Sequence, residues 1–442
     1  MNQYGYLTLS EDGSRLVRCE KNVVGVVTIP YGVTDINCSL SDVNDVLDYL
    51  TGADFPYDTS DNERGAFENC INLTGVKFPS SVTKIGMNAF RGCNKLTVIE
   101  LSNSVKEIGD CAFENCSSLT TIIIPNSVMR IGNYAFRGCL NLTTIMIMGP
   151  VKNIGRGAFY NCKNLTSFKI PSSVKLIEEE SFRGCTSLAS VEIEYGVSLI
   201  GEFAFSGCSA LTSIEIPSSV IGINYGAFDS CTGLSFIEIP NGVNEIGGLI
   251  FGGAFSGCSS LTSIEIPSSV NEIGPTAFNG CIGIKKYIVD KDNPNYCSEN
   301  GILYSKDMAE LIRVPCNIDS ISIPKSVNTI KSYAFSDCVN FTSLEIPNSV
   351  MNIGDAAFQN CKKLTSIIIP NSVTEMGFFS GTFVGCASLT YIHLRHKKPV
   401  DFSVAFSSLD LSKITLYVPI GSGYDYRHHP LYNKFAKIVI EE

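Results

Sequence analysis

Apolar and polar residues follow one another in this chain in a unit that returns every 23 residues. A well-preserved copy, AFSGCSALTSIEIPSSVIGIN, runs from Ala204 to Asn224. Its apolar Ile214 and Ile216 alternate with the polar Ser213 and Glu215. Alternation with a period of two predicts a β-strand with one buried face and one exposed face.

The remainder of the unit predicts how the chain leaves this strand and returns. A proline such as Pro217 should end the strand because it has no N–H for the ladder. Val220 and Ile223 then point inward, and the short Ala-Phe-x-x-Cys segment has room only for a helical turn. A glycine follows Ile223's position in many copies, where we expect a positive φ: Gly86, Gly109, Gly132, Gly155, Gly201, Gly247, Gly274, Gly354 and Gly377.

Thirteen cysteines occupy the same position of successive units: Cys70, Cys93, Cys116, Cys139, Cys162, Cys185, Cys208, Cys231, Cys258, Cys281, Cys338, Cys361 and Cys386. A fixed period in the twenties with an L-x-x-I-x-I strand is typical of leucine-rich-repeat solenoids. We therefore predict a mostly β repeat solenoid with short helical turns. It should be a curved stack of about 15 repeats, with a parallel sheet on its concave face.

Interruptions of the period define the expected organisation of a single solenoid over 1–442. Two segments, GYLTLSEDGSRLVRC near the start and GILYSKDMAELIRVP from Gly301 to Pro315, each read as two short strands around a polar turn. The predicted regions are an N-terminal hairpin-type cap with an Asp- and Ser-rich insertion, regular repeats, a repeat with an inserted hairpin, regular repeats, and a C-terminal strand and cap: 1–69 with 37–62 inserted, 70–284, 285–337, 338–392 and 393–442.

Composition narrows the classes of function. The net charge is −10, which disfavours a nucleic-acid surface. No apolar run approaches the roughly 20 residues of a membrane span. The N-terminus MNQYGYLTLSEDG has no basic region followed by an apolar stretch. Either the protein is intracellular, or the chain is a mature or trimmed form.

The cysteines favour thiols over disulfides. Those at the repeated position should be buried and should satisfy turn backbone groups, as cysteine or asparagine does in leucine-rich repeats. Any bridge or reactive thiol is better sought among the cysteines outside the register: Cys19, Cys38, Cys111, Cys297 and Cys316.

Three segments together resemble one family. They are the A-F-x-x-C-x-x-L-T-x-I-x-I-P-x-S-V-x-x-I-G unit, the hairpin DNPNYCSENGILY from Asp292 to Tyr304, and the terminal YVPIGS followed by KFAKI. The chain is similar throughout to the BspA-like (Treponema-type) leucine-rich-repeat proteins. That resemblance implies a bacterial cell-surface or secreted protein that adheres to host matrix, host cells or other microbes. It implies no catalytic residues. The insertion at 37–62 departs from the family pattern.

No enzyme or metal site emerges from the residues. The four histidines, His393, His396, His428 and His429, all lie near the C-terminus. A zinc site needs more ligands held together, so we expect exposed polar histidines, no metal and no cofactor. Repeated G-C-S and I-P-x-S-V strings are copies of a structural turn and have no partner base.

The variable outward position of the strand, seven residues after each cysteine, supplies the candidate binding residues. Glutamate occupies it in four consecutive units: Glu192, Glu215, Glu238 and Glu265. One interpretation is an acidic stripe that meets a basic ligand or a cation. The other is a solvated face in which water screens the repulsion between like charges.

Two functions therefore remain open, with an enzyme as a third that no residue supports. The first is a non-enzymatic, monomeric binding or adhesion protein that presents a solenoid surface to a protein or glycan partner of a host or another microbe. The second is a structural spacer or scaffold without a dedicated ligand.

Overall fold

A computed structural model describes residues 2–36, 65–247 and 253–441. The chain is a mostly-β solenoid of about 17 turns with a period of about 23 residues, which confirms the predicted fold class. The predicted insertion at 37–62 lies outside the described residues. The described part contains no helix long and apolar enough to cross a membrane.

The chain divides into two compact units, Met1–Cys231 and Thr232–Glu442. The prediction of one continuous domain over 1–442 stays a prediction. The described strands of the first unit are β1 (Asn2–Tyr4), β2 (Leu7–Leu9), β3 (Arg15–Cys19), β4 (Gly25–Thr28), β5 (Asp35–Ile36), β6 (Leu73–Lys77), β7 (Lys84–Ile85), β8 (Val98–Glu100), β9 (Glu107–Ile108), β10 (Thr121–Ile124), β11 (Arg130–Ile131), β12 (Thr144–Ile147), β13 (Asn153–Ile154), β14 (Ser167–Ile170), β15 (Leu176–Ile177), β16 (Ser190–Ile193), β17 (Leu199–Ile200), β18 (Ser213–Ile214) and β19 (Gly222–Ile223).

Each regular turn of the first unit contributes one strand to each of two parallel ladders. The L-x-x-I-x-I segments form the row β4-β6-β8-β10-β12 and the pair β14-β16. The return segments form the row β5-β7-β9-β11-β13, and further along β15, β17 and β19 pair in the same way. The antiparallel strands β1, β2 and β3 precede them, and β3 joins the return-path row beside β5.

The structure gives a different reason for glycine after the return strand from the one that the sequence pattern predicts. Of the nine glycines, Gly247 and Gly377 have positive φ (77° and 62°), whereas the others do not. At Gly109 an added Cβ would lie 2.7 Å from the backbone carbonyl carbon of Gly86 in the preceding turn. The expected positive φ is therefore wrong for most copies. Close approach of successive backbones excludes a side chain there.

The core of the first unit is built from two columns of like residues. The rings of Phe67 to Phe228 stack face to face from turn to turn, with neighbouring centroids 4.8 to 5.5 Å apart. Beside them each register thiol from Cys93 to Cys231 donates a hydrogen bond to the phenylalanine carbonyl of the preceding turn, at 3.0 to 3.3 Å. The Ala-Phe-x-x-Cys segments are hydrogen-bonded turns, in which for example the Cys93 N–H donates to the Phe90 carbonyl.

The second unit continues the same construction and ends in a different one. Its described elements are β20 (Phe236–Ile237), β21 (Glu245–Ile246), β22 (Ser263–Ile266), β23 (Glu272–Ile273), β24 (Lys286–Val289), β25 (Tyr296–Glu299), β26 (Ile302–Ser305), β27 (Glu310–Arg313), β28 (Thr329–Ile330), β29 (Ser343–Glu345), β30 (Asn352–Ile353), β31 (Ser366–Ile369), β32 (Glu375–Met376), β33 (Tyr391–Leu394), the 3-10 turn Leu411–Lys413, β34 (Thr415–Pro419), α1 (Gly423–His428), the 3-10 turn Tyr432–Lys434 and β35 (Lys437–Glu441).

The inserted hairpin of the second unit repeats the start of the chain. Strands β25, β26 and β27 are antiparallel, and β27 then pairs in parallel with β28 of the return path. Each segment that the pattern predicts as a hairpin contains two antiparallel strands, β2 and β3 or β26 and β27, and a third strand, β1 or β25, precedes it and pairs with it. After this hairpin, the repeat predicted at 285–337 has no strand at 321–323, although Ile323 is buried.

The C-terminal end closes with the parallel strands β33, β34 and β35, and α1 lies between β34 and β35 in the sequence. One more turn precedes this end than the cysteine register predicts. The ring of Phe406 stacks on that of Phe383 with centroids 6.0 Å apart. The segment from Ala405 to Leu409 is therefore a further Ala-Phe-x-x-Cys turn in which leucine replaces cysteine.

Candidate binding surfaces

The four predicted glutamates all have exposed side chains, two in each unit. In the first unit Glu192 lies on β16 and forms an ion pair with Lys169, whose Nζ is 2.6 Å from Glu192 Oε1. The same Nζ lies 2.9 Å from Glu194 Oε1. The hydrogen bonds that Lys169 donates to these carboxylates raise its pKa to about 12. Glu192 is thus partly neutralised, and Glu215 lies just beyond β18.

In the second unit Glu238 follows β20, and Glu265 lies on β22. The residue in register with Glu265 on the adjacent strand β24 is Ile288. A continuous stripe of carboxylates would need acidic residues in register with these glutamates on the adjacent strands. Lys169 occupies that position beside Glu192, and Ile288 occupies it beside Glu265. The acidic stripe stays a prediction.

The same outward column contains an apolar interruption in the first unit. Ile123 on β10 is in register with Met146 on β12, and Val98 lies on the neighbouring strand β8. With Met148, which follows β12, they form the strand-face patch. Their side chains are exposed by 51% (Val98), 55% (Ile123), 51% (Met146) and 60% (Met148).

A shallow groove of about 490 Å³ runs along the strand-face patch. Val98, Ile123 and Met148 provide apolar lining, whereas Glu100 and Asn126 provide polar groups. Its lining contains no aromatic ring. Contiguous exposed apolar surface rimmed by polar groups marks interaction sites on soluble proteins.

The sequence contained a signal for this patch. The strands TIII and TIMI are apolar at successive positions instead of alternating. Such runs are typical of strands covered on both faces. In this structure one of the two faces of these strands is exposed. The sequence-based prediction selected the glutamates at the same outward position of later strands instead of this apolar patch.

A second feature of the first unit is an alternation over two turns at the segment before each cysteine. Phe-Glu-Asn-Cys ends at Cys70 and Cys116, whereas Phe-Arg-Gly-Cys ends at Cys93, Cys139 and Cys185, and Phe-Tyr-Asn-Cys ends at Cys162. The 23-residue period concealed this longer period of 46 residues, which sequence reasoning missed.

The alternation builds a ladder of charged and aromatic groups along the edge of the first unit. Arg91 Nε lies 2.9 Å from Glu114 Oε2, and Arg91 Nη1 lies 3.4 Å from Glu68 Oε1. Further along, the guanidinium of Arg137 lies 5.3 Å from the ring centroid of Tyr160. Such cation–π contacts contribute about 0.5–1 kcal/mol at exposed sites. We call this edge the turn edge.

The second unit has a preformed aromatic projection. Between Cys361 and Cys386 the chain is two residues longer than the repeat, and Phe378 and Phe379 project there. Phe379 is 93% exposed. Asp355 Oδ1 accepts hydrogen bonds from the backbone N–H groups of Phe378, Phe379 and Ser380 at 2.6, 2.8 and 2.9 Å. The loop is therefore held in one conformation with its rings in solvent.

The histidines have structural surroundings. His396, which we expected to be exposed, is 6% exposed and lies edge-on to Phe402. His393 stacks on Tyr417 and its Nδ1 is 2.7 Å from Glu441 Oε1. Within 2–36, 65–247 and 253–441, no group of three or more His, Cys, Asp or Glu side chains could hold a metal ion.

None of the 17 cysteines in the described part of the chain forms a disulfide. Of those outside the register, Cys19 and Cys316 are buried, Cys111 and Cys297 are partly exposed, and Cys38 lies outside the described residues. Burial raises the pKa of register thiols, to about 12 at Cys185 and Cys231. Such thiols are poor nucleophiles because the thiolate is the reactive form.

The repeat pattern that defines the "BspA type Leucine rich repeat region (6 copies)" matches residues 60–185, 152–285, 250–301 and 314–422. The chain belongs to the BspA-type leucine-rich-repeat family. The resemblance predicted from the sequence is thereby confirmed. No curated protein matches the chain.

The chain is similar to solved structures of bacterial leucine-rich repeat proteins. A leucine-rich repeat protein from Bacteroides ovatus is 24% identical, with 100% of both chains covered and a TM-score of 0.53. A leucine rich cell surface protein from Faecalibacterium prausnitzii is 23% identical over 100% of this chain and 94% of that chain, with a TM-score of 0.39. The leucine rich repeat protein of T. pallidum is 30% identical over 46% of this chain and 86% of that chain, with a TM-score of 0.37.

Proposed function

We propose that this BspA-type protein is a non-enzymatic binding protein of the cell surface and that it holds a protein partner against the strand-face patch. The observation that carries the proposal is the patch itself, with four exposed apolar side chains on and beside three adjacent strands. Repeat solenoids present extended surfaces of this kind to their partners.

The chemistry of the patch favours a protein over a glycan. Its groove is lined by aliphatic and methionine side chains and contains no aromatic ring on which a sugar could stack. Methionine is enriched in protein interfaces, where its flexible side chain adapts to the partner. Glu100 and Asn126 at the rim can fix the orientation of that partner through hydrogen bonds.

The experiment compares two variants of the full chain by surface plasmon resonance on a panel of purified collagen, laminin and fibronectin. The patch variant carries Val98→Thr, Ile123→Thr, Met146→Thr and Met148→Thr, since threonine keeps a high β propensity. We expect at least tenfold weaker binding to any matrix protein that the unmodified chain binds, because central interface side chains each contribute about 1–2 kcal/mol.

The control variant carries Met129→Thr and Ile221→Thr. These two side chains are also exposed and apolar, but they precede the return-path strands β11 and β19. Their change should leave binding intact. Equal loss in both variants would show that the strand-face patch has no special part. Failure of every matrix protein to bind would favour the spacer or scaffold function.

Placement at the cell surface is part of the proposal and has its own test. It is supported by membership in the BspA-type family. Brief protease treatment of intact cells of the source organism should remove the protein, whereas a cytoplasmic marker should survive. Survival of both would assign the chain to the interior of the cell.

A further inference from the structure

The turn edge of the first unit contains a row of three asparagine side chains. Asn69, Asn115 and Asn161 have positive φ (59°, 59° and 57°), a conformation that asparagine tolerates. Each amide lies over the next turn, because a Cβ added to the glycine there would lie 2.2 to 2.3 Å from the asparagine Oδ1. Two turns separate successive amides, which is roughly 10 Å at the spacing of stacked strands.

These amides line one side of a polar groove of about 580 Å³ that crosses five consecutive turns. Arg137 and Lys163 supply two cations, and no carboxylate is among the lining residues. Glu114 lies 3.8 Å from Arg137, too far for a tight pair, and the Arg137 side chain is exposed. None of the described residues offers a hydrogen bond to the three amide side chains, which leaves them available to a ligand.

The groove prescribes the chemistry of its ligand. A ligand that follows it must be extended, because the groove crosses several turns of the stack. It must present donors and acceptors at intervals of about two turns, where carboxamides can pair with hydroxyl or N-acetyl groups. It must also carry negative charge for Arg137 and Lys163. An alternating linear polysaccharide has a disaccharide repeat of about this length.

We infer that the turn edge binds a linear acidic polysaccharide, which lies along the stack with its carboxylate or sulfate groups at Arg137 and Lys163 and its neutral polar groups at the asparagine amides. This site shares no residue with the strand-face patch. It therefore gives the protein a glycan ligand in addition to the proposed protein partner.

The test titrates the full chain with chondroitin sulfate octasaccharide and hyaluronan octasaccharide in a calorimeter. The triple variant Asn69→Gly, Asn115→Gly and Asn161→Gly removes the amides, and glycine accepts the positive φ at all three positions. We expect about tenfold or weaker binding of both oligosaccharides, because three hydrogen bonds are lost. The separate variant Lys163→Gln should weaken binding about two- to fivefold, as expected for an exposed charge pair.

A matched control lies in the second unit. Asn360 has the same φ of 59°, and a Cβ on Gly385 of the next turn would lie 2.4 Å from its Oδ1. Asn360→Gly should therefore have the same effect on the backbone and none on binding. It also removes the hydrogen bond that Asn360 Nδ2 donates to Asp337 Oδ1 at 2.9 Å, so the melting temperature is measured for this variant as well. The patch variant should also bind the oligosaccharides normally, which separates this site from the proposed protein-binding surface.

Four results would overturn the inference. The first is undiminished binding by the triple variant, with its melting temperature unchanged. The second is equal affinity for inorganic polyphosphate, since a charge-only surface would not need the amides. The third is equal affinity for the neutral cellohexaose, and the fourth is no binding of either acidic octasaccharide. If the triple variant fails to fold, Lys163→Gln and the comparison among ligands still decide.

Discussion

The residue before the Ala-Phe pair adopts a left-handed backbone in most turns of the first unit, whichever residue occupies it. Tyr134 and Phe203 have φ of 53° and 51°. The ring of Tyr134 lies where a Cβ on Gly157 of the next turn would be, 2.3 Å from its Cε1 atom. Phe203 relates to Gly226 in the same way, at 2.5 Å from Cδ1. A large side chain in one turn thus requires glycine in the next.

We predict that Gly157→Ala lowers the free energy of unfolding by about 1–3 kcal/mol, because the new methyl group meets the Tyr134 ring. In the double variant Tyr134→Gly with Gly157→Ala the methyl group no longer meets the ring, so the two changes together should cost less than the sum of their separate costs and show a coupling energy in a double-mutant cycle. Chemical denaturation of the four proteins measures it.

Gly207→Ala is the matched control for this cycle. Gly207 also has positive φ (74°), but its Cβ would meet only backbone atoms of Gly184 at 3.6 Å or more. The control therefore reports the backbone strain alone. If Gly157→Ala costs no more than Gly207→Ala, the ring does not constrain the next turn.

Residues of the core could be predicted from the sequence, whereas residues that depend on the neighbouring turn could not. Phe205 and Cys208 recur at a fixed register, and like residues of a stack must lie on one another. Glycine is required both for positive φ and for close backbone approach, and the letter alone does not distinguish them. For this reason the sequence predicts a positive φ at Gly109, whereas the structure shows close approach to the backbone of the preceding turn.

At the scale of elements, the buried His396 links the C-terminal helix α1 to the preceding repeats through hydrogen bonds. His396 Nε2 lies 2.7 Å from the Val373 carbonyl oxygen, to which it must donate, and His396 Nδ1 is buried with no hydrogen-bond partner among the described residues. The Tyr426 hydroxyl of α1 donates to the His396 carbonyl at 3.1 Å. Burial therefore holds the pKa of His396 below its ordinary value of 6.5.

The sign of the pH effect follows from this lowered pKa. The unfolded chain takes up a proton near pH 6.5, whereas the folded chain resists it. Stability should be level above about pH 7 and should fall as the pH drops from 6.5 toward the folded pKa, by up to about 1.4 kcal/mol for each unit between the two pKa values. Thermal melting between pH 8 and pH 5 measures this slope.

His396→Gln should flatten the slope between pH 7 and pH 5, since glutamine does not titrate there. His428→Gln should keep it, because His428 is exposed on α1. A slope that survives the change at position 396 would have to arise from other groups. The segment RHKK at 395–398 gave no sequence signal for this role, because a run of basic residues is typical of a solvated turn.

For the molecule as a whole, the thiols report whether the stack is intact. The register thiols are buried beside the phenylalanine columns. Each thiol stays buried only while the neighbouring turns of the stack are folded. We predict that, among the described cysteines, alkylation of the native protein at pH 8 modifies the partly exposed Cys297 first and leaves the register thiols unmodified until denaturant opens the stack. Mass spectrometry of the labelled peptides identifies the order.

Raising the pH to 9 should not expose the register positions to reagent, because the pKa of thiols such as Cys185 and Cys281 is raised to about 12. Rapid labelling of most register thiols in the native protein would contradict the buried ladder.

The exposed surfaces are harder to predict from the sequence than this buried ladder of thiols. An apolar residue such as Ile123 does not reveal whether its face of the strand is covered, which depends on what packs there.

The pairing of asparagine with glycine also governs how such a gene can grow or shrink. Deleting residues 71–93, which make up one turn, would bring Asn115 into the turn next to Asn69, at the position that Gly92 now occupies. Its Cβ would then lie about 2.3 Å from the Asn69 Oδ1. Deleting 71–116 would instead place Gly138 there, and the junction would resemble the native one. In this part of the chain a length variant is therefore expected to preserve the fold when the turn that comes to follow an asparagine carries glycine, whereas a variant that stacks two asparagines is not.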